Sequence, residues 1–121
     1  MDKKLFEGVI TPMVTPLIDR ENIDIKGLEK LLDHLINGGV SGIFLMGTTG
    51  EGTSISLRMR KELIKYSVAY VNGRVPVFAS IADCCIEESL NMACYAKECG
   101  VSYLVPRLSS RTSKPASCRA C

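Results

Sequence analysis

The sequence is poor in the residue types that several common kinds of binding site need. Its 121 residues include no tryptophan, three phenylalanines, four tyrosines and a single histidine, His34. Single-stranded nucleic acids are usually held in basic grooves with interleaved aromatic rings, so this composition gives no support to nucleic-acid binding. No uninterrupted apolar run approaches the roughly 18 residues that a membrane span needs. We therefore expect neither a nucleic-acid nor a membrane partner.

The beginning of the chain also lacks the features of a secretion signal. Acidic side chains stand beside the lysines of residues 1–7, and no apolar core is present. We expect a cytoplasmic protein whose six cysteines are free thiols. Cys118 and Cys121 form a C-x-x-C pair, but neither a second pair nor a histidine at ligand spacing follows it. That pair is too little to predict a zinc or redox site, so no metal and no cofactor is expected.

The positive net charge belongs to the C-terminal end of the chain. Residues 107–121 hold four basic side chains and no acidic one, whereas residues 1–106 hold 11 basic and 13 acidic side chains. The C-terminal segment is also rich in serine and has few large apolar residues, so it cannot bury enough surface to order itself. The sequence therefore predicts a folded domain over residues 1–106 and a disordered basic tail over residues 107–121.

Short apolar runs alternate with helical patterns along the first 106 residues. Helices are predicted after Asp24 as N-cap, from about Ser56 to Val71, and from about Ile86 to Cys99, with glycines near each end. The runs predicted as strands are Val9-Ile10, Ile43–Met46, Val75–Ile81 and Tyr103–Val105. Short apolar strands without polar alternation indicate a parallel sheet covered by helices. The fold class is α/β, either a doubly wound sheet or a barrel.

The segment after the second predicted strand carries the strongest functional signal. It reads Gly47-Thr48-Thr49-Gly50-Glu51-Gly52 and precedes the helix that begins near Ser56. Backbone N–H groups at a strand-to-helix turn, together with two hydroxyls, suit a small carboxylate or phosphate. The glycine order does not match a dinucleotide-binding fingerprint or a Walker A loop. The alternative is that these residues only make a tight turn between strand and helix.

Three segments together resemble one known family. They are Phe6 to Leu17 with its Thr-Pro turns, Gly39 to Glu51, and Arg60 to Leu63. The chain is similar over residues 5 to about 106 to the dihydrodipicolinate synthase and N-acetylneuraminate lyase family. The resemblance implies a truncated TIM (β/α)8 barrel with about the first four strands and three helices. It also implies a carbon–carbon lyase of the class I aldolase type, in which a lysine forms a Schiff base with pyruvate or a related 2-oxo acid.

The resemblance assigns roles to the loop after the second strand. Thr49 would hold the carboxylate of the 2-oxo acid through its hydroxyl and backbone N–H, with Gly47 and Gly50 in the same loop. Thr48 would be the hydroxyl that links two tyrosines in the proton relay. The loop sequence Gly47-Thr48-Thr49 is closer to that of the synthase branch of the family than to that of the sialic acid lyases. The Schiff-base lysine is expected on a sixth strand that these 121 residues do not contain, so the chain as written is predicted to be inactive.

The tail departs from the family at a definite point. After the fourth strand the family typically has proline with two aromatic residues, whereas Pro106 is followed here by Arg107 and Leu108. Residues 106–116 can be back-translated into DNA with permitted codons. Translating that DNA from two bases later gives a serine-proline-aromatic-aromatic segment. The hypothesis is that the tail is a frameshifted continuation of a barrel gene, and sequencing the locus tests it.

Two alternatives to an enzyme fragment remain open. One is a non-catalytic, self-associating half-barrel or a binding module for a small anion. The other is a fragment of a phosphate-binding TIM barrel. Family members are typically homo-oligomers, and half a barrel leaves two unpaired edges and an uncovered apolar face, so we expect self-association or aggregation.

Overall fold

The computed structural model describes residues 7–106, which form four strands and three helices. In chain order these are β1 (Ile10–Pro12), α1 (Ile25–Asn37), β2 (Gly42–Leu45), α2 (Leu57–Val71), β3 (Val77–Ser80), α3 (Ile86–Cys99) and β4 (Tyr103–Val105). The predicted alternation of four strands and three helices is confirmed. The expectations for residues 1–6 and for the tail at residues 107–121 lie outside the described residues and stay predictions.

The helices begin and end where their capping residues predict. The Asp24 carboxylate accepts the N–H of Gly27 at 3.0 Å and starts α1, and the Ser56 hydroxyl accepts the N–H of Met59 at 3.3 Å and starts α2. Asn72, with φ of 48°, ends α2, and Gly100, with φ of 92°, ends α3. Left-handed residues at these positions let the chain leave the helix and turn back towards the sheet.

Strand bounds differ from the predicted ones by one or two residues. The first strand lies at Ile10–Pro12 rather than at Val9-Ile10, and the third at Val77–Ser80 rather than at Val75–Ile81. Pro76 has no N–H to donate to a neighbouring strand, although its carbonyl still accepts the N–H of Ile43 at 3.1 Å. Apolar composition therefore marks each strand but does not mark where pairing stops.

The four strands form one parallel sheet in the order β1-β2-β3-β4. One face is covered by the three helices and supplies the centre of the core. The buried sheet residues Ile43, Leu45, Val77 and Ala79 pack in one cluster with buried helix residues Leu28, Leu32, Met59, Leu63, Ile64, Met92 and Ala96. The spacing of Leu57 fits the apolar side of α2, but Leu57 is 39% exposed because it is the first residue of α2 and lies at the edge of the helix layer.

The other side of the sheet, called the open face here, carries Ile10, Phe44, Phe78 and Tyr103. These residues are partners in register across the strands or lie two positions apart, so their side chains share one face. Phe78 and Tyr103 stack with ring centroids 4.9 Å apart. Tyr103 is 44% exposed and Ile10 38%, and no helix within residues 7–106 covers this face. The same sheet thus has one packed and one apolar, accessible side.

The cysteines follow the expectation in part. Cys84, Cys85 and Cys99 are free thiols. The prediction is wrong for Cys94, which is disulfide-bonded, because the connectivity of cysteines cannot be deduced from their spacing alone. Across residues 7–106, none of the helices has the length and apolar content to cross a bilayer.

Candidate functional site

A cavity of about 390 Å³ opens at the carboxyl ends of the strands. Its wall is formed by residues that end or follow β2, β3 and β4, namely Phe44, Met46, Gly47, Thr48, Glu51, Thr53, Ser54, Ser80, Ala82, Val105 and Pro106. In parallel α/β folds this edge is where ligands bind, because the loops that follow the strands converge there.

The loop that follows β2 presents unused donors beside this cavity. The N–H of Glu51 donates to the carbonyl of Thr48 at 3.2 Å, and the N–H of Gly52 donates to the carbonyl of Gly47 at 3.3 Å. These bonds fold the loop back on itself and leave Thr48 and Thr49 at the tip, where both are exposed. Within residues 7–106, neither their N–H groups nor their hydroxyls donate to a protein acceptor. They can therefore bind an external anion.

The predicted site residues do not all reach the cavity wall. Gly47 and Thr48 line it, whereas Thr49 lies exposed at the loop tip and Gly50 is buried behind it. Gly47 and Thr48, which line the cavity, are the residues at the start of the loop. Thr48 thus lies where a ligand in the cavity would meet it, whereas Thr49 follows it in the chain, is exposed and does not line the cavity.

Gly50 joins this loop to the loop that follows β1. The Thr15 hydroxyl donates to the carbonyl of Gly50 at 2.6 Å, and a Cβ at position 50 would lie 2.8 Å from the carbonyl oxygen of Met13. The N–H of Met13 also donates to the carbonyl of Phe44 at 3.0 Å. The Thr-Pro turns and the glycine-threonine loop, which are separate in the sequence, are therefore one packed unit.

Two residues of the loop hold a backbone conformation that side chains disfavour. Met46 has φ of 58° and Glu51 φ of 52°. Single left-handed residues other than glycine, asparagine or aspartate are uncommon and cost of order 1 kcal/mol or more each, so they persist where the surroundings enforce them. Met46 is almost fully buried, which holds the turn that aims Gly47 and Thr48 at the cavity.

An ion pair connects the loops on two sides of the cavity. Arg60, near the start of α2, contacts the Asp83 carboxylate at 3.0 Å, and the two side chains are only 12% and 23% exposed. The same guanidinium donates to the carbonyls of Ile55 at 3.4 Å and Ala82 at 3.5 Å. The N–H of Cys85 and the Arg60 guanidinium together hold the pKa of Asp83 below its ordinary value of 3.8. Arg60 thus fixes the loop after β3 against the end of the loop after β2.

Replacing Arg60 with methionine is expected to lower the free energy of unfolding by about 2 kcal/mol, because Asp83 would keep its charge in a partly buried place without its partner. Arg60→Lys should lose less stability. Arg58→Met, which removes largely exposed ion pairs with Glu62 and Glu21, should change stability little. Urea denaturation measures the free energy of unfolding of the three variants and of the parent.

The contribution of Asp83 is also expected to depend on pH. A carboxyl whose pKa is lowered in the folded state stabilises the protein above its ordinary pKa, and this contribution is lost as pH falls through the lowered value. The difference in stability between the parent and Arg60→Met should therefore shrink in that acidic range. A difference that stays constant down to the lowest pH would contradict the assignment.

The described lysines and tyrosines do not line this cavity. The described lysines are on helices, at Lys26, Lys30, Lys61, Lys65 and Lys97. Tyr66 donates its hydroxyl to Glu29, and Tyr70 donates to Asp33 at 2.7 Å, which fastens α2 to α1. These hydrogen bonds, with burial as a second cause, raise the pKa of both phenols above 10.0. Among the described residues, neither tyrosine lines the cavity.

Among the described residues that line the cavity, Glu51 is the only charged one, and none is a lysine, arginine or histidine. Residues 7–106 contain no group of three or more histidine, cysteine or acidic side chains placed to hold a metal ion. Sequence reasoning missed Ser80, which is buried in the wall at the carboxyl end of β3. Its signal was a hydroxyl near the end of a predicted strand.

The model of the dihydrodipicolinate synthetase family matches residues 5–106. The chain belongs to this family. Among its curated relatives, the 4-hydroxy-tetrahydrodipicolinate synthase of Magnetococcus marinus is 42% identical over 96 residues, which are 79% of this chain and 32% of that protein. The enzyme of the same name from Methanocaldococcus jannaschii is 40% identical over 101 residues, which are 84% of this chain and 35% of that protein.

Solved structures agree with the family assignment. The dihydrodipicolinate synthase of Bacteroides thetaiotaomicron superposes with a TM-score of 0.82 at 44% identity, over 84% of this chain and 34% of that one. An N-acetylneuraminate lyase of Mycoplasma synoviae superposes with a TM-score of 0.80 at 28% identity, over 92% of this chain and 40% of that one. The chain of this family member therefore spans about a third of the length of its relatives, and its four strands correspond to part of their TIM barrel.

Proposed function

We propose that this chain carries the carboxylate-binding part of a Schiff-base-forming lyase or synthase that acts on pyruvate or a related 2-oxo acid. The observation that carries the proposal is the pair of unused hydroxyls and N–H groups of Thr48 and Thr49, next to a cavity at the carboxyl ends of the strands. Neutral donors at a strand-to-helix turn can bind a carboxylate without a metal or a cofactor.

The loop residues have separate roles in this proposal. Thr49 binds the carboxylate through its hydroxyl and N–H. Gly47 and Gly50 let the backbone approach closely, which the packing of Gly50 against Met13 supports. Thr48 is the hydroxyl of the proton relay, and its place in the cavity wall supports that role. The lysine that the family chemistry needs is not among the cavity residues, so the 121-residue chain binds the acid without reacting with it.

The charges around the cavity favour a 2-oxo acid over a phosphate. A phosphate group carries close to two negative charges at neutral pH, and sites for it usually include arginine, lysine or a metal ion. The described wall holds no cation, and Glu51 adds a negative charge. Coulomb repulsion from Glu51 penalises a dianion about twice as much as a monoanion. A fragment of a phosphate-binding barrel is therefore the weaker alternative.

Pyruvate binding to the full chain tests the proposal by ligand-observed NMR titration. We expect saturable binding of pyruvate and weaker binding of inorganic phosphate. Thr49→Val removes the hydroxyl at nearly constant volume and should weaken pyruvate binding by about tenfold or more, because hydrogen bonds to charged groups contribute about 1.5–3 kcal/mol. Thr49→Ser keeps the hydroxyl and should bind like the parent. Saturable phosphate binding in preference to pyruvate would favour the other kind of barrel.

Self-association is part of the same proposal, supported by the open face. Ile10 and Tyr103 are exposed on strands that each pair on one side only within residues 7–106. Such strands and such an apolar surface promote association with further chains. Sedimentation velocity should show species larger than the 13.2 kDa monomer, and Tyr103→Lys should shift them towards monomer. A monomer at all concentrations would contradict this part of the proposal.

A further inference from the structure

Ser80 is the most buried hydroxyl of the cavity wall. It is the last residue of β3 and is 9% exposed, whereas Thr48, Thr53 and Ser54 in the same wall are exposed. Its register partner is Val105 on β4, which also lines the cavity. A polar side chain at this depth in a strand needs a hydrogen-bond partner, since burying a hydroxyl without one is costly.

Among the described residues, the Ser80 hydroxyl accepts a hydrogen bond from the protein but donates none to it. Its oxygen accepts the N–H of Ala82 at 3.3 Å, which fixes the hydroxyl at the turn after β3. Within residues 7–106 the hydroxyl proton is donated to no protein acceptor. Because serine can accept and donate at the same time, one donor remains at the wall of the cavity.

The position of this donor suits a particular atom of the ligand. Ser80 lies on the same side of the sheet as Phe44, because Phe44 pairs in register with Phe78 and Ser80 is two residues further along β3. Neighbouring strands lie roughly 4.8 Å apart. The cavity extends from the end of β2 to the ends of β3 and β4, so a small acid whose carboxylate is held at the end of β2 can place the group next to the carboxylate towards the end of β3.

We propose that Ser80 is a specificity residue, which donates a hydrogen bond to the oxygen on carbon 2 of a bound 2-oxo acid. The inference rests on the proposed function, since it takes the carboxylate to be held by the loop after β2. It adds a recognition element for the keto group, so the site distinguishes 2-oxo acids from simple carboxylic acids.

The test compares pyruvate with propionate, which has the same carbon chain and carboxylate but no oxygen on carbon 2. Ligand-observed NMR titrations use the full chain, Ser80→Ala and Ser102→Ala. Ser102 is the matched control because its hydroxyl accepts the N–H of Val77 at 3.2 Å at the opposite end of β3. We expect Ser80→Ala to weaken pyruvate binding by about fivefold to tenfold, which is the usual size of one hydrogen bond, and to leave propionate binding unchanged. Ser102→Ala should change neither.

The possible results separate this role from the proposed function. If the parent binds pyruvate and Ser80→Ala binds it equally well, the role of Ser80 is overturned and the carboxylate site stands. Equal losses for pyruvate and propionate would also overturn it, because they would indicate a change of the whole cavity. If the parent binds neither acid, both the carboxylate site and the role of Ser80 are wrong. Circular dichroism and thermal melts of the two alanine variants confirm that each remains folded.

Discussion

Replacing Gly52 with alanine is expected to lower the free energy of unfolding by about 3 kcal/mol, the upper end of the usual cost of overpacking. A Cβ at this position would lie 2.2 Å from the carbonyl oxygen of Met46 and 2.8 Å from its carbonyl carbon. Both are backbone atoms, so no side-chain rotation relieves the contact. Met46 is almost fully buried in the core and already has φ of 58°, so it has little freedom to move.

The same substitution should remove ligand binding. Relief of the contact requires the loop to move away from Met46, and the N–H of Gly52 then loses the carbonyl of Gly47 that closes the loop. Thr48 and Thr49 would no longer be held together beside the cavity. Pyruvate titration should show no saturable binding even at temperatures where circular dichroism still reports the native helices.

Gly38→Ala is the matched control for this experiment. Gly38 has an ordinary φ of −71°, and its added Cβ would come no closer than 3.2 Å to another atom, the carbonyl oxygen of His34. Its substitution should change stability by less than about 1 kcal/mol, with reduced freedom of the unfolded chain offsetting mild crowding. Equal behaviour of the two variants in urea denaturation would contradict the close approach at Gly52.

Local patterns in the sequence predict the elements of this fold well. Asp24 and Ser56 were predictable as helix starts because a capping side chain acts on an N–H three residues away, and α3 was predicted with its observed bounds. Leu57 shows the limit of the same reasoning. Its spacing fits the apolar side of α2, but whether the first turn of a helix lies over the core depends on where the neighbouring elements end.

The candidate site was predictable only in its loop. Thr48 and Thr49 stand in a motif that can be recognised from residue order, whereas the contacts that position the motif join residues far apart in the chain. The bond from Thr15 to Gly50 spans 35 positions, and the pair of Arg60 and Asp83 spans 23. No local periodicity encodes such partners. Ser80 was missed for the same reason, since its importance comes from the cavity beside it.

Treatment of the full chain with pyruvate and borohydride is expected to trap no specific adduct. In the family chemistry a lysine amine attacks carbon 2 of the acid, water leaves to form an imine, and hydride addition to that imine gives a stable secondary amine. The reaction requires an amine next to the bound keto group. The five described lysines lie on the helices that cover the other face of the sheet, and none lines the cavity.

Intact mass spectrometry measures the outcome against two controls. A full-length family member, which we expect to carry the Schiff-base lysine, should become largely labelled under the same conditions. The 121-residue chain denatured in urea sets the level of unspecific labelling at surface amines, and the folded chain should not exceed it. Labelling of the folded chain well above that level, mapped by peptide analysis to one lysine, would show that the chain has its own reactive amine. Pyruvate binding without trapping is the result that would separate the carboxylate site from the chemistry, because in the proposed function binding uses Thr48 and Thr49 whereas trapping needs a lysine at the keto carbon.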